Sequence, residues 1–180
     1  LTVMSSRALQ QTKQVPFFLW KELWSNRFDL NEDDEEETAR EKIIHGVRTL
    51  WGKQLGEISA LETAHFLGDQ IGVEWPDSSY LKPYRNNAEK RKQRSYELHG
   101  EILSRSLRKG PLILMLDDLQ WVDHASMELL KYILEDALKE LPILILGACR
   151  PVIYEEYPYL KEKGEIIALA PLPVSGQIVR

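Results

Sequence analysis

Two adjacent carboxylates, Asp117 and Asp118, follow the unbroken apolar run Leu112-Ile113-Leu114-Met115-Leu116. A run of this kind, opened by Gly110-Pro111, reads as a strand buried on both faces of a parallel sheet. Acids at the C-terminal end of such a strand lie where open α/β sheets bind ligands. Neighbouring ionised carboxylates repel and are costly to bury, so a cation is expected to meet them. Magnesium with a nucleotide phosphate fits that requirement. A second apolar run, Ile143 to Ala148, ends in Cys149-Arg150-Pro151. A right-handed strand–helix–strand crossover makes the two strands parallel and brings Arg150 to the same sheet edge as the acids. This set suits phosphoryl transfer. Asp117 would hold magnesium through water, Asp118 would orient or deprotonate the attacking water, and Arg150 would read or stabilise the γ-phosphate. The plainer alternative is a turn cap at Asp118 and an ordinary ion pair at Arg150.

The elements that must position these residues follow from periodicity. Leu1 to Ser5 reads as a short strand and Leu9 to Gln14 as a polar loop. Pro16 opens an aromatic helix over Phe17-Phe18-Leu19-Trp20-Lys21-Glu22-Leu23-Trp24, since proline is tolerated in a first turn. The acidic run Glu32 to Glu37 lacks the spacing and the glycine of an EF-hand, and is read as complementing the N-terminus of the next helix. That helix, about Glu37 to Leu55, buries Ile43, Val47, Leu50 and Trp51. After Gly56 a second helix carries Leu61, Ala64, Leu67 and Ile71 on one side. His45 and His65 lie in these helices and are read as surface or packing residues. Turn chemistry marks Gly72 to Asn87. A long polar helix follows from about Ala88 to Arg108, burying Ile102, Leu103 and Leu107. After Asp123, helical periodicity runs through Leu130, Ile133, Leu134, Ala137, Leu138 and Leu141, with Asp123 or Ser126 as its cap and Glu135–Lys139 as an i,i+4 pair. Trp121 is read as core and Asp123 as a cap, neither as catalytic. A last strand is expected at Glu165 to Leu169.

The 180 residues suffice for one domain with a proper core. A formal net charge of −5 disfavours a broad nucleic-acid face, and the basic cluster Lys90, Arg91, Lys92 and Arg94 reads as a solvated helix face. The single cysteine, Cys149, excludes a disulfide framework within these residues, fits a reducing, cytoplasmic setting and is expected to be buried. No stretch is apolar for long enough to span a membrane, and no signal peptide is visible.

Leu112 to Asp123, with Ser126-Met127-Glu128-Leu129-Leu130 and Ile143 to Pro151 behind it, resembles the Walker B segment and following strand of AAA-like ATPase modules of the STAND signalling class. In that family the strand after Walker B ends in a nucleotide-sensing arginine, which Arg150 matches. Ile167-Ala168-Leu169-Ala170-Pro171-Leu172 resembles the passage from the last core strand to a helical lid. Ala64-His65-Phe66-Leu67-Gly68 and Asp77-Ser78 resemble modules found beside class III adenylate or guanylate cyclase domains. The resemblance implies an α/β fold: a partial P-loop NTPase three-layer sandwich with a mostly parallel sheet, and extra helices between the second strand and the Walker B strand. It implies an ATPase core over residues 1–170 and a linker to the lid over 171–180. ATP and Mg2+ are the implied ligands. The implied partners are other domains of a multidomain bacterial signalling protein, including cyclase and tetratricopeptide-like repeats, with ATP-dependent self-association.

One departure stands out. No G-x-x-x-x-G-K-[ST] occurs in these residues, and the nearest approach, Trp51-Gly52-Lys53-Gln54, lacks the second glycine and the hydroxyl. Without that loop no amide nest or lysine grips the phosphates. Either the loop precedes Leu1 in the full protein, the favoured expectation, or the module is a degenerate, non-hydrolytic scaffold for protein–protein contact. In the first case the strands present sit side by side, Glu165–Leu169 is poorly held, and the isolated chain has little or no ATPase activity. A receiver-type phosphoacceptor also places paired acids at a strand end. It requires a later lysine where this sequence has Arg150.

Overall fold

The computed structural model describes residues 1–137 and 141–170. Three strands, β1 (Thr2–Arg7), β2 (Leu112–Asp117) and β3 (Ile143–Gly147), form a parallel sheet in the order β1-β2-β3. Seven α-helices accompany it among the described residues: α1 (Phe18–Phe28), α2 (Glu36–Leu55), α3 (Glu57–Gln70), α4 (Ala88–Leu107), α5 (His124–Tyr132), α6 (Ile153–Glu156) and α7 (Leu160–Lys163). The fold is α/β, with α1, α2, α3 and α4 all inserted between the first and second strands. β1 runs two residues past Ser5. Its register therefore sets Arg7 opposite Asp117.

The sheet is covered on one face. Met4, Leu112, Leu114 and Leu116 are buried, while Val3, Met115, Leu144 and Leu146 are each about half exposed. The expectation of strands buried on both faces fails for β2 and β3, because α1 packs against β1 on one side and no described helix covers the other. Glu165 to Leu169 forms no strand, with Ile167 77% and Leu169 90% exposed. Cys149 is exposed, since it lies past the end of β3 in non-regular chain. The helix that follows Asp123 gives way to a π-helical turn over Ile133–Ala137. Leu138, Lys139 and the linker expected over 171–180 lie outside the described residues.

The core is built around indoles. Trp20 and Trp24 of α1 and Trp51 of α2 are at most 2% exposed. Each such side chain removes roughly 200 Å² from water, about 5 kcal/mol gross before chain entropy is counted. Every one of their N–H groups has an acceptor. Trp20 donates to the Ser126 carbonyl at 3.1 Å, Trp24 to His99 Nε2 at 3.0 Å and Trp51 to Ser106 Oγ at 3.0 Å. Gly56, at φ 76°, closes α2 and opens α3, in a backbone region that glycine alone enters without steric cost.

The acidic run behaves as a helix entry. Glu36 and Glu37 stand in the first turn of α2 and pair with Arg40, while Asp34 takes Lys42. Three of the four residues of the basic cluster are used similarly: Arg91 pairs with Asp69, Lys92 with Glu128 and Arg94 with Glu62. Among the described residues no helix is long and apolar enough to cross a membrane.

Candidate active site at the strand ends

The parallel register delivers Asp117 and Asp118 to the C-terminal edge of the sheet, between the ends of β1 and β3. Ladder bonds continue past the strands: Ala8 N–H donates to the Asp117 carbonyl at 3.0 Å, and Leu119 N–H to the Ala148 carbonyl at 3.0 Å. Between those two ties the chain must turn sharply, and Asp118 does so in the left-handed region at φ 54°. Aspartate tolerates that conformation better than most residues.

Asp117 is half exposed, and its Oδ1 accepts the Asp118 N–H at 2.9 Å. Asp118 is more engaged. Its Oδ2 meets Arg7 Nε at 2.7 Å, and its Oδ1 accepts from Gln120 Nε2 at 2.8 Å. The hydrogen bond from Arg7 is the leading cause that holds the Asp118 carboxyl below its ordinary range. The bond from Gln120 adds to it, and the charge of Arg150 contributes least. Reciprocally, Asp118 raises the Arg7 guanidinium above its ordinary value. Arg150 is exposed, and its backbone N–H donates to Gln120 Oε1 at 3.0 Å. The buried Gln120 amide thus links the turn at Asp118 to the end of β3. All three expected residues gather at one edge.

A cavity of about 630 Å³ opens at this edge, bordered by Ser5, Ser6, Arg7, Asp117, Gly147 and Ala148 among others. Asp118 and Arg150 stand outside its lining. Within the described residues no group of three or more His, Cys, Asp or Glu side chains converges. An all-protein metal cage is therefore not what this edge offers. A half-exposed carboxylate beside open space suits magnesium, which keeps most of its waters and takes one or two carboxylates plus phosphate oxygens.

Arg7 and Gln120 are the site residues that sequence reasoning missed. The strand over Leu1 to Ser5 stopped short of Arg7, although parallel pairing with β2 carries the chain on to it. Asp123 is also more than a cap. It is buried, and its carboxylate accepts from Ser126 N–H at 2.8 Å, Phe17 N–H at 2.8 Å and Phe18 N–H at 3.1 Å. One side chain therefore closes the N-termini of both α5 and α1.

The His65 motif also takes shape. His65 Nδ1 lies 2.8 Å from Ser78 Oγ, which accepts Leu81 N–H at 3.0 Å, and the imidazole stacks on Trp75 at 4.0 Å between centroids. A side-chain carbon at Gly68 would stand 2.5 Å from Trp75 Nε1, so only glycine lets the indole settle there. The motif is a packing clasp. His45 is exposed and carries no described ligand cluster.

Comparison of the chain with protein-family models, with curated proteins and with solved structures finds no match.

Proposed function

We propose that this chain is the Walker B half of an ATP-binding and ATP-hydrolysing P-loop module from a multidomain bacterial signalling or regulatory protein. The observation that carries the reading is the adjacent Asp117 and Asp118 at the end of the middle strand, with Arg150 at the end of the next. A cavity of about 630 Å³ beside Asp117 is within the range of small-molecule sites. The side-by-side order of the three parallel strands is what the resemblance to AAA-like modules implies.

In this reading Asp117 holds the water shell of magnesium. The ion, when bound, offsets the negative charge that accumulates on the transferring phosphoryl group. Asp118 orients the attacking water, and Arg150 supports the γ-phosphate. The phosphate loop lies outside these residues. Asp118 in the geometry described is a poor base, because Arg7 and Gln120 occupy its oxygens and favour its anion. That engagement gives substance to a second reading, a nucleotide-switched scaffold that signals through conformation without turnover.

Calorimetric titration of magnesium-ATP tests the proposal, using the 180-residue chain and the chain extended upstream of Leu1. Binding by the extended chain alone, weakened by Asp117→Asn, is the expected result. Absence of binding in both overturns it. Recovery of intact ATP from the bound complex after prolonged incubation selects the scaffold, and recovery of ADP selects the hydrolase.

A further inference from the structure

Among the described residues the Arg150 guanidinium makes no ion pair, so the placement of this side chain rests on its backbone. The main-chain ties between the turn after β2 and the end of β3 run through Ala148. Its N–H donates to the Leu116 carbonyl at 2.8 Å, and its carbonyl accepts the Leu119 N–H at 3.0 Å. Arg150 lies two residues farther on, and its N–H finds its acceptor in a side chain, Gln120 Oε1 at 3.0 Å. The other end of the same amide, Nε2, donates to Asp118 Oδ1 at 2.8 Å. Among the described residues Gln120 alone bonds to both Asp118 and Arg150.

A side-chain amide is a rigid plane with donors at one end and an acceptor at the other. Its orientation here is dictated twice. Turned over, it would set an oxygen against the Asp118 carboxylate and an N–H against the Arg150 N–H, so the two bonds are lost together. Gln120 is 6% exposed, which leaves water poorly placed to replace either partner. Packing supports the same bridge. A side-chain carbon at Gly147 would stand 2.9 Å from Leu119 Cδ1, so glycine lets the residue before Gln120 settle against the end of β3. On the reading of Asp118 and Arg150 as the water-orienting acid and the phosphate-contacting arginine, we propose that Gln120 is the positioning residue that couples them. Whatever draws Asp118 Oδ1 away frees the amide to turn, and the arginine loses its anchor.

Amide hydrogen exchange of the 180-residue chain, read residue by residue by NMR, tests this in a double-mutant cycle. Gln120→Ala should lower the protection of the Arg150 N–H about tenfold, the worth of one hydrogen bond, and leave that of Ala148 unchanged. Asp118→Gly, which keeps φ 54° accessible, should lower Arg150 protection about threefold to tenfold although residue 118 does not bond to Arg150. In the Gln120→Ala background the same substitution should leave Arg150 unchanged. Where Gln120→Ala fails to fold, Asp118→Gly against the wild type decides the matter. Three results overturn the coupling: Arg150 protection unaffected by Gln120→Ala or by Asp118→Gly; an equal loss at Ala148, which marks general fraying of β3; or additive effects in the double variant. In a chain extended upstream of Leu1 that hydrolyses ATP, Gln120→Ala should lower kcat about tenfold with KM little changed, and an unaltered kcat overturns the positioning role. An extended chain that fails to bind magnesium-ATP counts against the ATP reading alone, and the exchange cycle still decides the coupling.

Discussion

Arg7 Nε stands 2.7 Å from Asp118 Oδ2, joining residues 111 positions apart across the ends of two parallel strands. The pair fixes the ionisation of the acid on which a hydrolytic mechanism would depend. In Arg7→Ala the Asp118 carboxyl should titrate at higher pH than in the wild type, as followed by carbonyl-detected NMR. The bond from Gln120 should keep part of the depression. Both partners reach solvent, so the thermal midpoint should move little.

Asp123→Ala leaves the N–H groups of Phe17, Phe18 and Ser126 without their acceptor. Charge-assisted bonds to buried backbone donors are among the stronger ones, and the loss should reach about 3 kcal/mol by urea unfolding. Asp123→Asn should recover only part of this, because its amide nitrogen turns a donor toward donors.

Stability should fall with acidification because of His99. The ring is fully buried, accepts from Trp24 at Nε2 and donates through Nδ1 to the Ser95 carbonyl at 2.8 Å. Burial pushes its pKa down to about 4. Below about pH 6.5 the unfolded chain binds a proton that the folded chain refuses. Stability is therefore fully present above pH 6.5 and declines down to about pH 4, where the folded ring itself protonates and the decline levels off. The loss from this group is roughly 3 kcal/mol. A His99 ring proton that titrates near pH 6.5 in the native state would contradict it.

Gly68→Ala should destabilise by about 2 kcal/mol in thermal or urea unfolding, since the added carbon must displace an indole stacked against His65. Ser78→Ala should cost about 1–2 kcal/mol by stranding the Leu81 N–H and His65 Nδ1.

Much of this layout was legible in the sequence. Helical spacing places α2 and α4 to within a residue and marks the buried side of α3, and the apolar runs at 112–116 and 143–148 mark the two later strands. The acids and Arg150 reach one edge because parallel pairing dictates it. Burial was less legible. An unbroken apolar run says that a strand prefers cover on both faces, not that the cover is at hand, and so Met115, Leu144 and Leu146 lie half exposed. Cys149 is exposed despite its apolar sequence neighbours, because it lies past the end of β3. The partners of Asp118 and Asp123 escaped notice for another reason. Arg7 and Phe17 lie over 100 residues upstream, and no periodicity encodes contacts of that range.

The same separation has a kinetic meaning. β1 and α1 come first in the chain, yet their partners β2, Asp118 and Asp123 follow only after three helices have been made. Closing so long a loop is entropically expensive, while the α2–α3 hairpin assembles from local contacts. The helices should consolidate first, with β1 waiting unpaired, and the acidic edge should be the last part of the molecule to exist.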